Sequence, residues 1–364
     1  VTNLAISQAV AHEDFYYAPD PSSQIACSIG GNIGENSGGV HSLKYGMTTN
    51  NVLGCEIVLI TGEILRIGGK APETDGYDIM GVITGSEGLL GVVTEVTVRI
   101  LKKPETARAL MVGFLEVEAA GRCVADIIGA GIIPGGMEMM DRDAIHAAEA
   151  FVHAGYPLDV EALLIIELDG PKAEVDELIG RVEKIALGCG STSCQISNSE
   201  QERLLFWAGR KAAFPAVGRI SPDYLCMDGT IPRGKLPDAL AGIRDLGKKY
   251  GLRCANVFHA GDGNLHTNVM LQTNDEDTRK RGAATVREVF QKACELGGTI
   301  SGEHGVGYAK APFLDLALTG PTIELMKTIK KAMDRNGILN PGKVFEAPLA
   351  AHEVGFINAS EPCC

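Results

Sequence analysis

The spacing of apolar positions changes near residue 100. Before it, runs rich in Val, Ile and Thr (Val52–Ile60, Glu63–Ile67 and Gly91–Leu101) are separated by turn residues such as Thr61-Gly62, and they predict strands. After it, strand-like and helix-like stretches alternate. Leu110–Leu115 precedes a helix at Ala119–Gly129, and Ala162–Asp169 precedes one at Lys172–Leu187, where Val175, Leu178, Ile179 and Val182 share a face. Arg253–His259 follows a helix at Lys235–Tyr250. Asp275–Glu295 and Thr322–Asn336 are further helices, the last with Gly337 in the C-cap place and Pro341 beyond it. The alternation predicts βαβ units layered as sheet against helices, in an α+β chain whose boundary is Lys102-Lys103-Pro104. Residues 347–364 lack periodicity and read as a loosely ordered tail.

Two glycine clusters interrupt the first region. Ser28–Gly46 is so dense in glycine that it predicts neither helix nor regular strand, but a loop whose backbone N–H groups can approach a ligand. Neither G-x-G-x-x-G nor G-x-x-x-x-G-K-[ST] occurs, which argues against the dinucleotide and P-loop folds. A long surface loop satisfies the composition equally well. The second cluster, Thr84–Glu95, runs into a strand; two such loops in one small domain favour cofactor contact.

At 364 residues and 45% hydrophobic content the chain can build two cores. Its net charge of -13 argues against a nucleic-acid partner, which needs a basic stripe. No apolar run approaches the ~18 residues of a membrane span. Val1 to Ala11 has neither a basic n-region nor an apolar h-region. The ten cysteines contain no C-x-x-C pair and no iron–sulfur spacing, and they read as reduced thiols of a cytoplasmic protein. In that setting Asn358-Ala359-Ser360 is a chance match to a glycosylation acceptor.

The pointed chemistry lies late in the chain. His259-Ala260-Gly261-Asp262-Gly263-Asn264-Leu265-His266 joins two strand-like runs through turn residues, which brings both imidazoles to one end of a sheet as half of a divalent-metal site. Ser301-Gly302-Glu303-His304-Gly305 adds a carboxylate oxygen and a histidine suited to base work. The plainer alternative is histidines in turns, satisfied by backbone carbonyls. His12, His41, His146, His153 and His352 have no such company. Arg210 lies beside Trp207, where it can clamp a carboxylate or simply reach solvent along its stem.

Taken together, Gly30-Gly31-Asn32, Asn36-Ser37-Gly38-Gly39, Lys44-Tyr45-Gly46, Gly85-Ser86-Glu87-Gly88, His259–His266, Glu303-His304-Gly305 and Leu339-Asn340-Pro341-Gly342-Lys343 resemble the FAD-linked oxidases of the vanillyl-alcohol-oxidase and p-cresol methylhydroxylase type. Within that family the likeness is to the branch holding the FAD-linked subunit of glycolate oxidase and the D-lactate dehydrogenases. The resemblance implies the C-terminal part of an FAD-binding domain at 1–103, then a ferredoxin-like α+β substrate (cap) domain at 104–346 with a helical C-terminal segment. It implies that Gly31, Asn32, Gly38, Gly39, Gly46, Glu87, Gly88, Val93 and Asn340 line FAD. It further implies that His259, His266 and Glu303 hold a divalent metal (zinc, manganese or iron), that His304 is the general base and that Arg210 holds the substrate carboxylate.

The expected reaction is oxidation of a small 2-hydroxy acid, glycolate or D-lactate, to the 2-oxo acid by hydride transfer to FAD. Electrons then pass to a separate acceptor, an iron–sulfur partner subunit in a hetero-oligomer or a quinone pool, in the cytoplasm or peripherally at the inner face of the membrane. Two features depart from the family pattern. The neighbourhood Cys226-Met227-Asp228 lacks a lysine that some relatives carry, and the family's upstream pyrophosphate loop precedes the residues present, which implies a fragment of a longer protein. The rival readings are a non-catalytic flavoprotein-like partner subunit and a metal-dependent hydrolase without flavin.

Overall fold

A computed structural model describes residues 1–71, 76–221 and 223–345, and the backbone of 357–358. The chain divides into two compact units. One holds residues 1–103 together with 303–345, so the segment after Glu303 folds with the glycine-rich region and not with the residues that precede it. The other holds residues 104–302.

In the first unit, strands β1 (Val52–Val58), β2 (Ile64–Gly68) and β3 (Val92–Val98) pair antiparallel in the order β2-β1-β3. Alternation in β1 buries Cys55 and Ile57. The first glycine cluster departs from the expected loop: Ile29–Glu35 is an α-helix. Three glycines in a helix cost about 3 kcal/mol relative to alanine. Tertiary structure offsets that cost. The Ser28 side chain caps the Gly31 N–H at 3.0 Å, and Asn36 ends the helix in the left-handed region at φ 52°. Ile33 is fully buried, which contributes roughly 2–3 kcal/mol. The small residues also let the second glycine cluster dock, with Gly85 and Glu87 N–H groups donating to the carbonyls of Ile33 and Gly34 at 2.8 Å each.

The C-terminal helix of this unit, Gly320–Met333, stops before the expected Gly337. Asp334 ends it: its carboxylate accepts from the backbone N–H of Ile338 and Leu339 at 3.3 and 2.8 Å and pairs with Lys330, which turns the chain three residues early.

In the second unit, β4 (Thr106–Phe114), β5 (Gly136–Asp141), β6 (Ala162–Gly170), β7 (Ser193–Ile196), β8 (Asp223–Cys226), β9 (Cys254–Phe258), β10 (Thr267–Leu271) and β11 (Ile357–Asn358) form one sheet in the order β11-β8-β10-β9-β5-β6-β4-β7. Every pairing is antiparallel, so the βαβ alternation is realised in its split form. Strand β6 lies between β4 and β5, and the run β4-helix-β5-β6-helix-β7 has the ferredoxin-like strand order, with one further helix, Arg142–Val152, inserted between β5 and β6. The continuous apolar run of β6 follows from helices on both faces, Val117–Gly129 and Lys172–Gly188 packing together and Arg142–Val152 packing with Glu200–Lys211. The expected tail, 347–364, lies outside the described residues apart from 357–358.

Candidate active site

Register places the key side chains of the second unit. Strand β9 lies between β5 and β10, with Val257 opposite Met140 and Phe258 opposite Met139. Continuing that register sets His259 opposite Glu138. On the other side Asn256 faces Thr267 and the Val257 N–H donates to the His266 carbonyl at 3.1 Å. Because β8 pairs Cys226 with Asn268, Asp228 continues opposite His266. Strand alternation then puts Glu138, His259, His266 and Asp228 on one face at one end of the sheet. All four are buried, at 1%, 5%, 1% and 0% exposure.

The two imidazole rings meet edge to face with centroids 5.0 Å apart. His259 Nδ1 lies 2.7 Å from Glu138 Oε1. Glu138 Oε2 accepts from Arg210 Nε at 2.7 Å and lies 2.6 Å from Arg210 Nη2. Arg210 is therefore no solvent-reaching helix residue: it is 1% exposed and paired inside the unit. The Phe214 ring packs beside two members of this group, 5.6 Å from His266 and 5.9 Å from the Arg210 guanidinium.

The connecting turn is locked from below. The His259 N–H donates to the Asn264 carbonyl and the Gly263 N–H to the His259 carbonyl, each at 3.1 Å. Asn264 Nδ2 donates to Asp228 Oδ1 at 2.7 Å, and His266 Nε2 lies 3.5 Å from the same oxygen. Asp228 also accepts from Ser301 Oγ and the Gly302 N–H, at 3.1 Å each. A Cβ on Gly302 would stand 2.0 Å from Asn264 Nδ2, so a side chain there would displace the amide that bonds Asp228.

In the first unit, Glu303 and His304 open a loop that Glu87 organises. The Glu87 carboxylate accepts from the Val306 and Gly307 N–H groups at 2.6 and 2.7 Å, and its own carbonyl accepts from Asn340 Nδ2 at 2.5 Å. Glu303 Oε2 lies 2.8 Å from where a Cβ on Gly38 would stand. Of the residues expected at the flavin, Gly31, Asn32, Glu87, Gly88, Val93 and Asn340 lie on the docked glycine clusters and the segments bonded to them. A Cβ on Gly30 would stand 3.7 Å from the Val93 carbonyl oxygen, and one on Gly34 would stand 3.8 Å from the Gly88 nitrogen.

This surface fits a flat cofactor. Gly31 is exposed, and a Cβ on Gly88, at φ +69°, would meet nothing within 4 Å, which leaves bare backbone facing open space. Gly39 and Gly46 answer internal demands instead, since a Cβ would stand 2.6 Å from the Asp20 backbone or the Asn50 side chain. The side chain of Asn32 bonds to Asn3 and Ser37, at 3.0 and 3.2 Å. In the second unit the paired imidazoles are the donor type that a borderline divalent cation takes.

Glu138 was not singled out in the sequence, although a lone acid between Met137 and Met139 in an apolar strand was its signal. Glu35 is a second such residue. Burial and the nearby Glu87 charge push its carboxyl up to about 7, against a smaller opposing pull from Lys310. The folded state therefore keeps a proton that the unfolded chain releases at an ordinary carboxylate pH. Glu35 is therefore expected to contribute a fall in thermal stability as pH rises from about 4.5 towards 7, a contribution that levels off above it. Glu35→Gln should flatten that fall in melting scans; an unchanged slope would assign it to other groups.

Residues 103–344 match the family described as FAD linked oxidases, C-terminal domain, and residues 1–68 match that described as FAD binding domain. The glycolate oxidase subunit GlcD of Escherichia coli (strain K12) is 54% identical over 343 residues, covering 94% of this chain and 69% of that protein. The D-lactate dehydrogenase of Anaerostipes hadrus is 30% identical over 348 residues, covering 93% and 73%. Among solved structures, p-cresol methylhydroxylase with substrate bound aligns at a TM-score of 0.75 and 16% identity, over 95% of this chain and 75% of that one, a likeness of fold.

Proposed function

Because the chain belongs to the FAD-linked oxidases and is an FAD-dependent oxidoreductase of that family, we propose that it oxidises a small 2-hydroxy acid, glycolate or D-lactate, to the 2-oxo acid. The observation that carries this reading is the pair of buried imidazoles 5.0 Å apart on the sheet end that also holds Glu138, to which Arg210 of the helix Glu200–Lys211 is bonded. Scaffolding gives no reason for so much buried charge and donor chemistry in one place.

When bound, FAD would supply a hydride acceptor for C2 of the substrate, and a divalent cation would supply a Lewis acid for its hydroxyl. His259, His266 and Glu303 would hold the cation. His304 takes the hydroxyl proton on an imidazole nitrogen. Arg210 turns its remaining N–H groups to the substrate carboxylate while Glu138 keeps its planar fork in one orientation. Gly31, Gly88 and Val93 supply the flavin-facing backbone, Gly38, Gly39 and Gly46 let the loop behind it pack closely, and Asn32, Glu87 and Asn340 hold those loops in place.

Electrons leave to a separate acceptor, an iron–sulfur partner in a hetero-oligomer or a quinone pool. Among the described residues no helix is long and apolar enough to cross a membrane. The test is the visible spectrum of the FAD-loaded full-length protein before and after anaerobic addition of glycolate or D-lactate. Bleaching of the flavin bands is expected, and the faster acid is the better substrate. A bound flavin that stays oxidised with both acids would overturn the reading in favour of a partner subunit.

A further inference from the structure

Glu138 stands in a strand position that its neighbours Met137, Met139 and Met140 fill with apolar side chains, all at 1% exposure like Glu138 itself. A carboxylate placed there without partners costs several kcal/mol, so its partners explain its presence. They are divided between its two oxygens. Oε1 faces His259 Nδ1 at 2.7 Å, while Oε2 takes the Arg210 fork at 2.7 and 2.6 Å. A carboxylate only accepts, so the shared proton resides on Nδ1, and in the neutral ring, the form that binds a cation, the lone pair then lies at Nε2.

We propose that Glu138 is a positioning residue that sets the His259 tautomer and ties the orientation of that ring to Arg210. The proposal rests on the cation-assisted reading above and deepens it: a cation ligand and the substrate-carboxylate clamp are two ends of one buried hydrogen-bonded unit. Carboxylates that orient a metal-ligating histidine in this way change metal affinity by about 10–100-fold when removed. A second buried acid provides the control. Glu167, 2% exposed on the adjacent strand β6, bonds to Arg203 and Trp207 at 2.5 Å each. Its loss reports the general effect of deleting a buried, paired carboxylate in this sheet.

The experiment strips the full-length protein of metal with a chelator and measures the dissociation constant for zinc alone by competition with a chromophoric chelator, alongside thermal melting. Glu138→Gln should bind zinc about 10–100-fold more weakly, whereas Glu167→Gln should melt earlier yet bind zinc as the wild type does. Equal zinc affinity in Glu138→Gln and the wild type, or equal losses in both variants, overturns the proposal. If the Gln variant unfolds because Arg210 is left charged and buried, the double variant Glu138→Met/Arg210→Met replaces the pair by apolar side chains of similar length. It should fold and show the same weakening, and unchanged zinc affinity in it overturns the proposal. A wild-type protein that binds no zinc overturns the cation reading itself, before any variant is compared.

Discussion

Replacing His304 with alanine is expected to slow flavin reduction by the 2-hydroxy acid about 10²–10⁴-fold while leaving zinc and flavin bound. The size follows from the proposed step, in which the imidazole takes the hydroxyl proton as hydride leaves C2. Retention of the loop follows from the structure, because its backbone is held at positions other than 304. The Val306 and Gly307 N–H groups sit on Glu87, and the Val344 N–H donates to the Gly307 carbonyl at 2.6 Å. Gly305, at φ +78°, disfavours any L side chain, and a Cβ would also crowd the Glu35 and Glu87 carboxylates at 2.2 and 2.9 Å. Anaerobic stopped-flow bleaching gives the rate, and elemental analysis of the same sample gives the metal. Zinc loss in His304→Ala would place this histidine among the ligands, and an unchanged rate would remove it from the chemistry.

The second large effect is expected at Gly263. Its φ of +84° disfavours any L side chain, and a Cβ would stand 2.1 Å from the backbone oxygen of Ile231, which cannot swing aside as a side-chain end can. Gly263→Ala should therefore cost about 3–5 kcal/mol and disturb the turn that sets His259 against His266. The measurable outcome is an earlier melt together with lost zinc binding. Gly234→Ala is the control, because a Cβ there meets nothing within 4 Å and φ is ordinary. A Gly263→Ala protein that melts and binds zinc like the wild type would rule out the turn geometry described above.

Most strands and helices were legible because their signals are local. Alternation in Val52–Val58, the apolar face of Lys172–Gly188 and the capping aspartate Asp275 before Glu276–Glu295 each act within a few residues. The early stop at Met333 was not legible: Gly337 looks like a C-cap, but the Asp334 carboxylate captures two downstream N–H groups first. Nor was the helix at Ile29–Glu35, whose glycines disfavour it until Ile33 is buried and the second glycine cluster docks on its carbonyls.

The candidate chemistry divides in the same way. By itself the sequence determined which donors are available and that a tight turn joins His259 to His266, because residue type and turn geometry are written within eight consecutive positions. It also placed glycine where backbone must lie bare. Only the tertiary structure decided that strand β5 would lie beside β9, and with it that Glu138, 121 residues before His259, would face that ring and hold Arg210. Strand order depends on how whole layers bury their faces, and no local pattern encodes which distant strand becomes a neighbour.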